Sequence, residues 1–184
     1  MSHDLHRLLR TLKPEKRSSL PPARAPDQLR AASAGLMKRP ILLDTTAYIN
    51  AGQGNLPSHI SQIITEWPNH HCSIALGEIA HGLGRLDAAH PDTARHSKYL
   101  EAILEQVPRH RVLNPTGEMH IAGGIITGMI ARLQNLSKGA HRSRINDVLI
   151  YLTARAAGAA VVTANIGDFD LIQQLVPDGQ VIFY

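Results

Sequence analysis

Short apolar runs without polar alternation recur along the chain, separated by stretches of helical spacing. Strands that are apolar on both faces are typical of a parallel sheet covered by helices on each side. The sequence therefore predicts an α/β fold of three layers, α/β/α, around a central, mostly parallel sheet. The expected strands are "PILLD", "HCSIA", "HRVLN", "AAVVTA" and "QVIFY".

The first forty residues differ from the rest in pattern and charge. "LHRLLRTL" has leucines at helical spacing, and the Pro-rich stretch 13–26 that follows predicts an extended linker. Residues 1–40 hold nine Lys and Arg against three Asp and Glu, a net charge of +6, whereas the remainder holds ten against twelve, a net of −2. The positive net charge of the chain, +4, therefore comes from this segment. We divide the chain into a basic N-terminal arm, 1–39, and a domain, 40–184. Such an arm attracts polyanions or an acidic partner, or serves as a solvated leader.

Composition excludes several other classes. Apolar residues make up 43% of the chain, yet no run reaches the ~18 residues that a membrane span needs. A single cysteine, Cys72, and no secretory signal fit a reducing cytoplasm. The glycine clusters 52–57 and 123–128 lack the strand–turn–helix context of a dinucleotide site.

Acidic residues stand where predicted strands end or helices begin. Asp44 ends the first strand, Asp168 and Asp170 follow the fourth, and Glu78 and Asp147 lie early in helices. Ligands of parallel sheets collect at the carboxyl ends of the strands, so these acids are expected to converge. Carboxylates brought together repel one another unless a cation joins them or protons are retained.

Each acid also has a local explanation. Asp44 and Asp168 suit helix N-caps, and Asp147 in a first helical turn complements the helix dipole. Glu78 is the hardest to explain locally, because it stands among apolar residues with no clear basic partner. The four acids taken together favour a joint site.

Three ordered segments resemble the PIN domain nucleases, and the VapC-type toxins in particular, over about residues 40–184. These are "ILLDTTAYI", "SIALGEIAHGL" and "NDVLIYLTARAAGAAVVTANIGDFDLI". The resemblance implies a PIN-like fold and metal-binding, catalytic roles for four acids, namely Asp44, Glu78, Asp147 and Asp168. It also implies supporting roles for Thr163 and Asn165, which match turn residues, and for the hydroxyl of Thr46. Asp170 lies outside the matched pattern.

An oxygen-only ligand set suits Mg²⁺ or Mn²⁺. Because acids alone repel nucleic acid, basic residues must border them. The candidates for contacting RNA phosphates are Arg85, Arg142 and Arg144. The alternative is that these arginines are ordinary solvated charges. His81 is expected on a helix surface or in the core instead of acting as a general acid.

The expected function is a metal-dependent endoribonuclease, the toxin of a type II toxin–antitoxin pair. The resemblance implies an RNA substrate, a cognate antitoxin and a homodimer, for which the small residues 123–128 offer a packing face. Two alternatives stay open: a PIN nuclease of RNA processing without an antitoxin, and a non-catalytic binding module of the same fold.

Overall fold

Five parallel strands form the centre of the computed structural model, which describes residues 3–34, 37–135 and 142–184. The strand order is β3-β2-β1-β4-β5, and each neighbouring pair is parallel, as the sequence predicts. The strands are β1 (Ile41–Leu43), β2 (Asn69–Cys72), β3 (Val112–Leu113), β4 (Ala160–Thr163) and β5 (Gln180–Phe183).

Helices connect the strands and cover the sheet. The connections from β1 to β3 cross the sheet in one direction and those from β3 to β5 in the other, so right-handed crossovers put the two sets of connecting helices on opposite faces. The expected three-layer α/β fold is confirmed. The helices are α1 (His3–Leu12), α2 (Pro26–Ala34), α3 (Thr45–Gln53), α4 (Ser58–Glu66), α5 (Ser73–Gly84), α6 (Thr93–Gln106), α7 (Gly117–Gln134), α8 (Arg142–Ala156) and α9 (Ile166–Leu175).

The direction of the connections reverses at β1. The chain leaves β1 towards β2 and β3, then returns to β4 on the other side of β1 and continues outwards to β5. The carboxyl ends of β1 and β4 therefore border the switch point at which ligands of such sheets bind. Both strands are buried along their whole length.

Two local predictions need correction. The strand expected over "HCSIA" ends at Cys72, and Ser73 already begins α5. The reason is that Ala75 and Ile79, four residues apart, face the core from a helix. In the arm, residues 17–25 have no regular structure, but α2 follows them with Pro26 at its first position, where a missing N–H costs nothing.

Glycine ends α8 as expected. Gly158 has φ +63°, a left-handed conformation that favours glycine, and it stands two residues after the helix. Within the second glycine cluster, an added Cβ at Gly123 would lie 3.6 Å from Leu149 of α8, whereas Gly124 and Gly128 have nothing within 4 Å. An added methyl group at Gly123 would thus meet α8 at an ordinary van der Waals distance, so packing does not require glycine at any of these three positions.

The N-terminal arm docks on the domain through its leucines. Leu5, Leu8 and Leu12 of α1 and Leu29 of α2 are buried in the same core cluster as the strands. α1 packs on α7, and α2 packs along β5. Among the described residues no helix is both long and apolar enough to cross a membrane.

A buried ion pair anchors the arm to α9. The backbone N–H of Arg24 donates to Asp170 at 2.9 Å, and its Nε donates to the other carboxylate oxygen at 2.5 Å. Asp170 is 2% exposed, and Gln174 donates to both of its oxygens at 3.2 Å. The acid that follows the predicted site in sequence is therefore a docking residue for the arm.

Arg24→Met is expected to destabilise the protein by about 3 kcal/mol, because it leaves the buried Asp170 charge without its partner. Arg10→Met, a change at an exposed arginine of the same arm, should cost less than about 0.5 kcal/mol. Adding Asp170→Asn to Arg24→Met should recover part of the loss, since the buried charge is removed. Urea unfolding measures all three, and equal losses for Arg24→Met and Arg10→Met would contradict this account.

Candidate active site

Asp44 lies at the carboxyl end of β1 and caps α3. It is 2% exposed, and its Oδ2 accepts hydrogen bonds from the Thr46 and Thr163 hydroxyls, each at 2.8 Å. The backbone N–H of Thr46 donates to the same oxygen at 3.4 Å. The capping explanation of Asp44 is thus correct, but it does not exclude a site. One hydroxyl comes from the first turn of α3 and the other from the last residue of β4, so the carboxylate is fixed at the switch point.

Glu78 reaches the same region from α5 and is partly buried. One of its carboxylate oxygens accepts from the Thr45 hydroxyl, and the other accepts from Asn146 Nδ2 at 2.7 Å. Thr45 directly follows Asp44, and Asn146 directly precedes Asp147. This adjacency to predicted acids is the only feature of the sequence that could have identified them as residues of the site. A neutral hydroxyl and a neutral amide thus replace the basic partner that the sequence lacks.

Asp147 carries the strongest electrostatic signature in the site. It is 9% exposed and accepts from Asn165 Nδ2 at 3.3 Å. Burial, and then the negative charges of Asp44, Asp168 and Glu78, raise its pKa to about 8 from an ordinary value of 3.8. Four acids that are distant in sequence therefore lie within electrostatic reach of one another.

Asp168 lies in the first turn of α9, but it does not cap the helix. The cap is Asn165, whose side chain accepts from the Asp168 N–H at 3.4 Å. The amide of Asn165 also donates to Asp168 Oδ2 at 3.3 Å, and its backbone N–H donates to Thr163 Oγ1 at 2.9 Å. Asn165 thus bridges Asp147 and Asp168, while Thr163 links Asn165 to Asp44.

The cations predicted to border the acids are placed differently from one another. Arg144 donates to Asp168 Oδ1 at 2.6 Å and to Gln134 Oε1 at 2.8 Å, so it neutralises one of the acids. Arg85 is exposed at the end of α5, seven residues or about 10 Å along the helix from Glu78. Arg142 begins α8, and its side chain is outside the described residues. RNA binding by these three arginines stays a prediction.

The donor chemistry of the site fits a hard divalent cation. In the described part of the chain the four carboxylates face one guanidinium, that of Arg144, and their other partners there are hydroxyls and amides. Within residues 3–34, 37–135 and 142–184, however, no three His, Cys, Asp or Glu side chains are placed as ligands of one ion. The carboxylates are instead turned towards neutral or cationic donors, of which Asn165 is shared by Asp147 and Asp168, as expected for acids that repel one another. Magnesium or manganese stays a prediction.

A cavity of about 380 Å³ opens beside Glu78 and Thr45 between α3, α5 and α6. Its wall is mostly apolar and includes Ile49, Ile79 and Leu100. His81, one turn after Glu78, is exposed on the surface of α5, as the sequence analysis expects.

Asp147→Asn is expected to stabilise the metal-free protein, and more so as pH rises. The folded state keeps a proton on Asp147 up to about pH 8, whereas the unfolded chain releases it near 3.8. Stability is therefore lost between these values as pH rises, by up to about 1.4 kcal/mol per pH unit. The asparagine does not titrate, so its advantage in urea unfolding should grow from about pH 5 to about pH 8.

The exposed Asp87→Asn serves as the control for Asp147→Asn. Its unfolding free energy should follow that of the natural sequence at each pH. An Asp147→Asn advantage that is absent, or that shrinks with rising pH, would contradict the shared repulsion.

The fold recurs in solved structures. A chain of VapBC2 from Rickettsia felis, bound to a DNA fragment from its promoter, matches with a TM-score of 0.53 at 18% identity, over 79% of this chain and 98% of that chain. A chain of DNA-bound VapBC from Salmonella typhimurium matches with a TM-score of 0.53 at 23% identity, over 80% of this chain and 98% of that chain. A chain of VapBC-1 from nontypeable Haemophilus influenzae matches with a TM-score of 0.53 at 20% identity, over 78% of this chain and 97% of that chain.

These matches span nearly all of each compared chain and leave about a fifth of this one unmatched, a share the size of the N-terminal arm. No protein-family model and no curated protein matches the sequence. At such identities the similarity concerns the fold alone. The chain thus has the fold of a chain found in VapBC complexes.

Proposed function

We propose that this protein is a metal-dependent endoribonuclease that hydrolyses RNA phosphodiester bonds in the cytoplasm, and that it is the toxin of a toxin–antitoxin pair. The observation that carries the nuclease proposal is Asp147, a buried carboxyl under the charge of three other acids at the switch point of a parallel sheet. Perturbed acids of this kind cluster at functional sites. The motif resemblance and the shared VapBC fold support the toxin assignment.

Asp44, Glu78 and Asp147, with Asp168, would hold Mg²⁺ or Mn²⁺. Such an ion, when bound, polarises a phosphate, lowers the pKa of an attacking water and offsets charge on the leaving oxygen. Asp168 shares its charge with Arg144 at 2.6 Å, so it is the least available of the four as a direct ligand. Asp168 would therefore help to hold the ion through a water.

The supporting residues fix the acids before any ligand arrives. Thr46 and Thr163 hold one oxygen of Asp44 and leave the other free of hydrogen bonds to them. Asn165 holds Asp147 and Asp168 at a set separation. Asp147 keeps its proton near neutral pH and must release it when a cation enters, so cation binding should release a proton.

The toxin assignment brings further partners into the proposal. A cognate antitoxin would hold the nuclease inactive, and two copies of the chain would form a homodimer. The exposed face of α7 around Gly124 and Gly128, which includes Ile121 at 53% exposure, is available for that contact.

The purified protein is expected to cut a structured RNA when Mg²⁺ or Mn²⁺ is added and to stop when EDTA is added. Asp44→Asn and Asp147→Asn should each lower the cleavage rate by a factor of about 100 or more, because each removes a charged ligand. Glu105→Gln, an exposed acid on α6, is the control and should cut normally. RNA binding without cleavage in any divalent ion would instead identify a non-catalytic binding module.

Expression of the chain alone is expected to arrest growth, and co-expression of a small neighbouring open reading frame should relieve the arrest. The Asp44→Asn variant should be harmless at the same protein level, since arrest follows from cleavage. Harmless expression of an active nuclease would refute the toxin assignment and favour a role in RNA processing.

A further inference from the structure

The first helix of the arm runs along α7 in the same direction. Near its start, Leu5 and Leu8 share a small cavity with Met119 and Ala122 of α7. Just after its end, Arg132 Nη2 donates to the backbone oxygens of Pro14 and Arg17, at 2.8 and 3.0 Å. The turn that follows α1 therefore lies at the C-terminal end of α7.

That end of α7 is also the end nearest the acids. Gln134, the last residue of α7, accepts from Arg144, and Arg144 in turn donates to Asp168. Arg132 stands two residues before Gln134, about 3 Å along the axis and on the other side of the helix. The turn after α1 and the acidic site thus lie on opposite sides of the C-terminal end of α7, which contacts the turn through Arg132 and contacts Arg144, the partner of Asp168, through Gln134.

The turn presents a concentration of positive charge. Arg10, Lys13 and Lys16 are exposed and, with His6, line an open depression of about 420 Å³ that contains one acid, Glu15. No ion pair in the described part of the chain involves these three cations. Arg132 and Arg17 contribute guanidinium groups that bond only backbone carbonyls in the described residues, so their charge is not cancelled. We call this set the basic turn: Arg10, Lys13, Lys16, Arg17 and Arg132.

The basic turn supplies what the acidic site lacks. The acids repel a polyanion, and Arg144, the cation that contacts them in the described part of the chain, is already paired with Asp168. The leucine face of α1 docks on the domain, so its basic face is turned outwards. We infer that the basic turn binds the phosphate backbone of RNA and holds the strand beside the acidic site. The identity of the polyanion as RNA rests on the proposed function.

Phosphate contacts of this kind set position and not sequence, and their strength falls with salt. The experiment measures binding of a labelled single-stranded RNA of about 20 nucleotides by anisotropy, in EDTA, with full-length Asp44→Asn so that no cleavage occurs. Lys13→Glu with Lys16→Glu should weaken binding about tenfold and reduce the slope of log K against log salt by about 1.4. Lys98→Glu with Arg109→Glu, at exposed sites on and after α6, changes the same charge and should leave binding within about twofold.

The outcomes separate this inference from the proposed function. If the Lys13 and Lys16 pair binds RNA as tightly as the Lys98 and Arg109 pair, and the natural protein cuts RNA, the role of the basic turn is refuted and the nuclease proposal stands. If the Lys13 and Lys16 pair binds RNA more weakly, but the natural protein cuts no RNA with any divalent ion, the nuclease proposal is refuted and the RNA-binding role of the basic turn stands. Binding of polyglutamate at the basic turn with no binding of RNA would assign the surface to an acidic protein segment and overturn the inference. Thermal unfolding midpoints of the two pairs should agree, because all four residues are exposed.

Discussion

Repulsion among four carboxylates at one edge of the sheet is the constraint that organises this molecule. Each acid is held by a donor from outside its own element. Thr163 of β4 holds Asp44, Asn146 of α8 holds Glu78, Asn165 at the start of α9 holds Asp147, and Arg144 of α8 holds Asp168. These bonds cross between elements that are distant in sequence. The acids would destabilise the edge if left unpaired, so the network that restrains them also ties α3, α5, α8 and α9 to the strands.

The sheet and the convergence of the acids could be predicted from sequence, because both follow from periodicity and topology. Uniformly apolar runs imply strands buried on both faces, and acids at strand ends of a parallel sheet must share an edge. The partners could not be predicted. Nothing local indicates that Asn165 and not Asp168 caps α9, or that Asp170 two residues later pairs with Arg24, 146 positions away. Such choices depend on which side chains the completed fold brings within reach.

The arm divides its charge between two roles that the sequence does not distinguish. Arg24 points inwards to a buried acid, whereas Lys13 and Lys16 face solvent. The excess of six positive charges in residues 1–40 therefore serves neither docking of the arm alone nor binding of a partner alone. The helical spacing of the leucines separates the apolar face of α1 from its basic face. Residues 13–25 show no such spacing, so their position against the domain is known only from the tertiary contacts of Arg24 and Arg132.

The N-terminal arm covers β5, the last strand of the sheet. Ser33 of α2 accepts a hydrogen bond from the Phe183 N–H at 3.3 Å, and α2 covers this last strand of the sheet. Open strand edges act as templates on which other chains add. A chain cut back to residue 40 would present such a template, and its tendency to polymerise through β5 would be a property of the missing cover and not of the nuclease fold.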